Sequence, residues 1–263
     1  MSTFTQLTLV VLMLSIHSVY AQHEIIAYED TALSEANYVA PRGGYAVPQI
    51  LYNKATLKEK IGDFEGAIQL YSSLLDVQPN HTDARFNRAL LYFDLGEYTQ
   101  SVYEFEHLIA QDIRDADTYE MRGLALLELG HPAEAVRDFS QAYQLSQNPK
   151  SMIYRGMAHN QLGNYKEAIT DLDYVLSINH EHPQALAVRG DVMLELERYQ
   201  AAIYWYDKAL TANPHDATTL SNRGIAHFNL ELYDNALIDL QHAANLREDA
   251  AICLNLSYCY FKK

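Results

Sequence analysis

The chain has 263 residues, 49% of them hydrophobic, and carries 34 Asp and Glu against 19 Lys and Arg, for a formal net charge of −15. Nucleic-acid binding depends on Lys and Arg that neutralise phosphates, so this balance argues against a nucleic-acid partner. An anionic membrane surface is disfavoured for the same reason. A neutral or basic protein partner is compatible with the charge, although solubility alone accounts for an acidic surface equally well.

Residues 1–21 are predicted to form a cleaved signal peptide. Residues 7–16 are apolar apart from Thr8 and Ser15, have the length of a signal h-region and are too short to span a bilayer. Cleavage is expected after Ala21, and the alternative is a buried first helix. No later segment has 18 consecutive apolar residues, so no membrane span is predicted. We therefore expect an exported protein, periplasmic or extracellular.

Residues 22–47 are predicted to be an N-terminal leader. They lack the repeating pattern of the rest of the chain, and Pro41-Arg42-Gly43-Gly44 is typical of a break. The leader is expected either to be flexible or to fold back on the first repeat.

From residue 48 onward a pattern of two helical periods recurs six times, and we call the two helices of each unit A and B. The A helix contains a small residue that recurs in steps of 33 or 34: Ala55, Ala89, Gly123, Gly156, Gly190 and Gly224. Seven residues later the pattern breaks, at Gly62, Gly96, Gly130, Gly163, Glu197 and Glu231. Each unit therefore predicts two short amphipathic helices joined by a tight turn.

Further columns repeat in the B helix, where a small residue (Ala168 in the fourth unit) is followed by a bulky one (Leu172). Together these columns resemble the tetratricopeptide repeat, a helix–turn–helix unit of about 34 residues. The resemblance implies an all-α fold, a right-handed α-solenoid of about six hairpins plus a terminal capping helix, over residues 48–263. Stacked hairpins bury a continuous apolar seam that no hairpin could bury alone.

An arginine stands directly before the small residue in five successive units: Arg88, Arg122, Arg155, Arg189 and Arg223. Sixteen residues after each come Glu104, Asp138, Asp171, Trp205 and Asp239. The two positions should face each other in an antiparallel hairpin, so four units are predicted to hold an internal Arg–carboxylate pair. The alternative is an arginine ladder that grips acidic peptides.

The A helices also predict a groove for a partner. The resemblance implies that their concave face binds protein, and the spacing of apolar residues among acidic ones suits a helix or extended peptide with apolar anchors and basic flanks. The alternative for any one residue is packing against the next A helix. The predicted groove residues are Tyr52, Phe86, Leu90, Phe93, Leu124, Leu127, Tyr154, Met157, Asp191 and Phe228.

Little in the sequence indicates catalysis. His180-Glu181-His182 could ligate a metal, but no further ligand stands at a suitable spacing, and the three residues are better interpreted as part of a loop. There is no nucleophile elbow, phosphate-binding glycine loop or zinc motif. We predict that the protein is not an enzyme and has no catalytic residue, metal or cofactor.

Residues 247–263 resemble the A helix of a seventh unit, with no B helix after it. This helix is apolar nearly all round, so we expect either that another protein covers it or that the chain is cut from a longer one. Self-association through residues 249–263 is one possibility. Cys253 and Cys259, six residues apart, lie about 240° apart around the helix axis and cannot form a disulfide.

We predict an exported, non-catalytic scaffold that binds a protein or peptide in its groove, in a bacterial periplasm or cell envelope. The location rests on family analogy, because a fold does not by itself specify a function. One alternative is an accessory or recruitment subunit of an enzyme complex of the cell envelope, acting in cell-wall chemistry or secretion. Another is a structural protein that assembles through its last helix.

Overall fold

The computed structural model describes residues 46–247 and 249–263, and this part of the chain is entirely helical, without a strand. The predicted signal peptide, and the leader up to residue 45, lie outside the described residues. The helices are α1 (Ala46–Lys60), α2 (Phe64–Val77), α3 (Thr82–Asp94), α4 (Tyr98–Ala110), α5 (Ala116–Glu128), α6 (Pro132–Ser146), α7 (Pro149–Gln161), α8 (Tyr165–Ile178), α9 (Pro183–Glu195), α10 (Tyr199–Ala212), α11 (Ala217–Asn229), α12 (Tyr233–Leu246) and α13 (Ala250–Lys262).

The predicted helical hairpins are confirmed. In the described residues, α1 to α12 form six consecutive hairpins, in which odd numbers are A helices and even numbers are B helices, and α13 follows alone. The chain divides into two compact units, one ending at Ile113 and the other spanning Arg114–Lys263. The first holds α1–α4 and the second α5–α13. Within the second unit, neighbouring A helices contact one another.

The small residue of each A helix lies where the bulky residue of the B helix packs. A Cβ added to Gly123 would come within 2.7 Å of the Phe139 ring, and one added to Gly190 within 2.4 Å of the Tyr206 ring. Phe139 and Tyr206 are themselves fully buried. The two helices of a hairpin therefore approach closely because the A helix has little or no side chain at the crossing point.

Each turn between an A helix and its B helix closes the A helix with a residue in the left-handed region. The φ angles are 79° at Gly62, 76° at Gly96 and Gly130, 73° at Gly163, 56° at Glu197 and 62° at Glu231. The N–H of the following residue donates back to the carbonyl five residues earlier, as from Arg198 to Met193 at 2.8 Å. This pattern is the Schellman motif, which favours glycine at its left-handed position.

Glu197 and Glu231 occupy a conformation that costs an L-residue about 1 kcal/mol or more. We therefore expect Glu197→Gly to raise the free energy of unfolding by about 0.5–1 kcal/mol, after allowing for the greater freedom of glycine in the unfolded chain. Chemical denaturation followed by circular dichroism at 222 nm measures this change. The matched control is Gly163→Glu, which places the same side chain in the same motif and should lower stability by about 1 kcal/mol. The two variants should therefore change the free energy of unfolding in opposite directions. If Glu197→Gly were less stable than the parent, the backbone of Glu197 would not be strained.

Candidate functional site

The predicted Arg–carboxylate pairs are present in four hairpins. The shortest N–O distances are 2.5 Å for Arg88–Glu104, 2.6 Å for Arg122–Asp138, 2.7 Å for Arg155–Asp171 and 2.6 Å for Arg223–Asp239. All four carboxylates are buried, and in the last three pairs Nε and Nη2 donate to the two carboxylate oxygens. Because these guanidinium groups are already bound inside their hairpins, the geometry favours pairing over a ladder for acidic peptides.

Several of these arginines also reach the B helix of the preceding hairpin, a contact that was not predicted. Arg155 Nη1 donates to Ser140 Oγ at 3.2 Å, and Arg223 Nη1 donates to Asp207 Oδ1 at 2.7 Å. Each such arginine therefore links two hairpins as well as the two helices of its own. The sequence feature that could have predicted this contact is a polar residue 15 or 16 positions before the arginine.

The fifth arginine shows what replaces a missing carboxylate. The Arg189 guanidinium lies 5.4 Å from the centroid of the Trp205 ring, within reach of a cation–π interaction. Its Nε donates to Asp173 Oδ1 at 3.2 Å, across to the preceding hairpin. The Trp at this position therefore preserves a contact between Arg189 and its own B helix without an ion pair.

Burial and ion pairing shift the pKa values of these carboxylates in opposite directions. Desolvation raises the pKa of Asp138 despite its hydrogen bonds from Arg122. Desolvation also opposes ionisation of Asp239, but hydrogen bonds from His227 and Arg223 outweigh it and lower the pKa of Asp239. Asp239 has a second partner, since His227 Nδ1 lies 3.0 Å from Asp239 Oδ2. This extra hydrogen bond accounts for the opposite directions of the pKa shifts of Asp239 and Asp138.

In the first unit, the residues predicted for the groove are all half-buried, and the aromatic ones pack against other rings. Their partners belong to the same unit. Ring centroids are 5.9 Å apart for Tyr52–Tyr71, 5.3 Å for Tyr52–His81, 5.6 Å for Phe86–Phe105 and 5.3 Å for Phe93–Tyr98. These aromatic rings therefore contribute to the stability of the hairpins, whether or not a partner also touches them.

In the second unit, the predicted groove residues divide into two groups. Leu127 is buried, Tyr154 packs on Phe139 at 5.5 Å, and Phe228 packs on Tyr233 at 5.5 Å. Leu124, Met157 and Asp191 are half-buried, as Tyr154 and Phe228 are, but each of the three directly follows the small residue of its A helix, and Met157 also packs against the core. Ile225 occupies the same position of α11 and was not among the predicted residues. We call Leu124, Met157, Asp191 and Ile225 the A-helix column.

Asp191 is the one charged member of the A-helix column. Its Oδ1 accepts hydrogen bonds from Tyr206 OH at 2.8 Å and from Asn222 Nδ2 at 2.9 Å. Desolvation raises the pKa of Asp191, and the negative charges of Asp216 and Glu195 raise it further. Among the described residues no cation pairs with it.

Glu120, an inward-facing carboxylate on α5, is compensated differently. Lys150 Nζ lies 3.4 Å from Glu120 Oε2, and Ser151 donates to Glu120 Oε1. Both donors belong to α7, the next A helix, just as Asn222 belongs to the A helix after Asp191. Glu120 therefore has a cation of its own, as the carboxylates paired with arginine do, whereas Asp191 has neutral donors only.

The last helix exposes a second candidate surface, the one predicted as a route to self-association. Ile252 and Cys259 are buried against the sixth hairpin. The exposed large apolar residues are Leu254, Tyr258, Tyr260 and Phe261, the last of them 84% accessible. Cys253 is exposed, and both it and Cys259 are free thiols. α13 therefore presents apolar surface where the other A helices are covered by a B helix.

The described residues provide no cluster of His, Cys, Asp or Glu that could hold a metal ion. In the His180-Glu181-His182 loop, the His182 ring accepts a hydrogen bond from the Ala185 N–H at 3.4 Å and so caps α9. None of the helices in ranges 46–247 and 249–263 is long and apolar enough to cross a membrane.

Comparison with solved structures shows the same architecture. A tetratricopeptide repeat protein from Parabacteroides merdae is 18% identical, with a TM-score of 0.79 over 95% of this chain and 97% of that one. PilW, a type IV pilus biogenesis factor, is 18% identical, with a TM-score of 0.67 over 84% of this chain and 100% of that one. The Cut9–Hcn1 structure is 20% identical, with a TM-score of 0.66 over 85% of this chain but only 44% of its own.

Family comparison gives the same assignment from sequence. Models described as tetratricopeptide repeat match residues 52–116 and 120–179, and one described as TPR repeat matches residues 190–231. Together they cover more than half of the chain. No curated protein matches the sequence at a significant level. The chain therefore belongs to the tetratricopeptide repeat family, whose helical arrays serve as scaffolds for protein partners.

Proposed function

We propose that this protein is a non-catalytic scaffold that is exported to the periplasm or cell surface and binds a protein or peptide along the A helices of its second unit. The observation that carries the proposal is the A-helix column. It presents three half-buried apolar side chains and one carboxylate on successive A helices that contact one another. Apolar anchors around a fixed polar group are typical of peptide-binding grooves.

The export part of the proposal rests on the apolar segment at residues 7–16 and the small residue Ala21. An acidic chain of this composition suits a basic or neutral partner in that compartment. The protein would act as the recruitment subunit of an envelope enzyme complex if the partner bound along these A helices were an enzyme.

A second candidate function is self-assembly, which the exposed residues of α13 favour. Tyr258, Tyr260 and Phe261 are each more than half accessible, and aromatic side chains contribute strongly to interfaces. Analytical ultracentrifugation separates the two functions. A dimer that depends on concentration and is lost in a Tyr258→Glu, Phe261→Glu variant would support assembly through α13.

The scaffold function is tested by affinity capture from cell-envelope extract, with mass spectrometry of what is retained. The bait is the full chain, compared with a Leu124→Glu, Met157→Glu variant of the A-helix column. The control is Ile238→Glu, on the exposed side of α12, where the side chain is 67% accessible. Circular dichroism must show that all three proteins are equally helical.

We expect a protein that is retained by the parent and the control but lost by the column variant. A partner retained equally by all three would contradict binding along the column. The Tyr258→Glu, Phe261→Glu variant serves as a fourth bait, and loss of the partner only with that variant would place the interface on α13 instead. Expression of the full chain with an epitope tag, followed by fractionation, tests export, and an uncleaved product in the cytoplasm would contradict it.

A further inference from the structure

Asp191 differs from the buried carboxylates of the second unit in the partners that it has. Asp138, Asp171 and Asp239 each receive two hydrogen bonds from an arginine, and Glu120 lies beside Lys150. Asp191 receives its two hydrogen bonds from a phenol and an amide, both on Oδ1. In the described residues Oδ2 has no partner. A desolvated carboxylate is stabilised most by a cation, and this one lacks it.

The position of Asp191 is fixed from two sides. Tyr206, which is fully buried in the B helix of the same hairpin, donates one hydrogen bond to Asp191. Asn222 donates the other from the next A helix. Neither donor can compensate the charge, since both are neutral. The remaining oxygen is therefore held in one place on the A-helix face, which is the preorganisation that a recognition group needs.

Two carboxylates add negative charge near Asp191. Glu195 lies one turn further along α9, and Asp216 caps the N-terminus of α11. Both raise the pKa of Asp191 through their negative charge. The same face therefore attracts a cation and repels an anion.

The neighbours of Asp191 in the A-helix column are apolar, with Met157 on one adjacent A helix and Ile225 on the other. Packed helices lie about 8–10 Å apart, and an extended chain in the polyproline II conformation advances about 3.1 Å per residue with three residues per turn, so that every third side chain lies on the same face. About three residues of an extended peptide therefore separate successive members of the column.

We propose that Asp191 is the specificity-determining residue of the groove and binds a lysine or arginine side chain of an extended partner segment, with apolar residues three positions before and after that cation. This inference rests on the proposed function, because it names the partner chemistry of the same face. The cation bonds Oδ2, while the two apolar residues contact Met157 and Ile225. The partner therefore supplies the positive charge that Lys150 supplies to Glu120 within the protein.

The test uses a blocked heptapeptide, Leu-Ser-Ser-Arg-Ser-Ser-Leu, whose symmetric spacing fits either chain direction. Its dissociation constant for the full chain is measured by isothermal titration calorimetry at low salt, where charge pairing is least screened. Replacing arginine by citrulline keeps the shape and removes the charge. We expect saturable binding below the millimolar range, weakened about tenfold or more by citrulline, since hydrogen bonds between charged groups are among the stronger ones.

The matched protein variants are Asp191→Asn and Glu120→Gln. Asp191→Asn should weaken binding of the arginine peptide about tenfold, leave the citrulline peptide unaffected, and melt no lower than the parent because it removes an uncompensated charge. Glu120→Gln should change peptide affinity by less than about twofold, since its carboxylate is already paired with Lys150.

Three outcomes would overturn the proposal: no saturable binding of the arginine peptide, equal binding of the arginine and citrulline peptides, or an effect of Glu120→Gln as large as that of Asp191→Asn. The proposed function is judged separately. If the column variant loses a captured protein while Asp191→Asn retains it, the scaffold stands and the cation site is wrong. If the peptide binds through Asp191 but no capture depends on the column, the site stands and the scaffold function is wrong.

Discussion

Arg155→Met is expected to destabilise the protein by about 3 kcal/mol, because it breaks a buried ion pair by removing one partner. Arg155 donates to both oxygens of Asp171 at 2.7 Å, and the two side chains are only 22% and 7% accessible. Removal of the guanidinium leaves the Asp171 carboxylate buried without a donor of opposite charge. For a protein of this size the melting temperature should fall by roughly 6–12 °C.

The control for this prediction is Arg198→Met, since Arg198 is exposed at the start of α10 and makes no side-chain cap. It should leave the melting temperature within about 1 °C of the parent, as surface substitutions usually do. Adding Asp171→Leu to Arg155→Met should restore at least half of the lost stability, because the orphaned charge is then removed as well.

If Arg155→Met were as stable as Arg198→Met but lost its captured partner, the arginines would serve recognition, and the ladder interpretation would be correct. Loss of stability without rescue by Asp171→Leu would mean that the hydrogen bond from Arg155 to Ser140 of the preceding hairpin matters more than the pair.

Gly190→Ala is expected to lower the free energy of unfolding by about 2 kcal/mol, although alanine is the better helix former. Its Cβ would lie 2.4, 2.5 and 2.9 Å from three atoms of the Tyr206 ring. The ring cannot move away freely, because it is fully buried and its hydroxyl donates to Asp191 at 2.8 Å. Chemical denaturation of the purified variant measures the change.

Gly156→Ala is the matched control, in the same column of the repeat. Its Cβ would lie 3.2 Å from the nearest atom of Leu172, a branched aliphatic side chain that can shift by a few tenths of an ångström. The gain in helix propensity of about 1 kcal/mol should then offset the contact, so stability should change by less than about 1 kcal/mol. Equal losses for the two variants would show that the column excludes any Cβ, and no loss for Gly190→Ala would show that the helices of this hairpin separate at little cost.

The small-residue column shows how far sequence reasoning reaches. Alanine and glycine both occupy it: Ala55 belongs to one buried cluster with Tyr71 in the first hairpin, and Gly190 lies against Tyr206 in the fifth. The sequence therefore predicts that every position of this column holds a residue with a small side chain. The distance between the two helices, which decides whether a methyl group fits, depends on how each hairpin packs, and a single residue type does not encode it.

The predicted groove shows the same limit more strongly. The spacing placed Tyr52, Phe86 and Phe93 on the A-helix face, but it could not tell that each ring packs on another aromatic ring of its own unit. Ile225 belongs to the same column as Leu124 and Met157, so the sequence offered a signal for it that was not used. Asp191 was predicted as a groove residue from its position alone.

The sequence by itself determined the repeat, the turns and the Arg–carboxylate pairs, because each depends on a fixed separation within one hairpin. Even the left-handed residues Glu197 and Glu231 follow from their place in the glycine column. Only the tertiary structure decided which charges are compensated. Asn222 reaches Asp191 and Lys150 reaches Glu120 across neighbouring hairpins, and those contacts depend on how the hairpins stack, which local patterns do not specify.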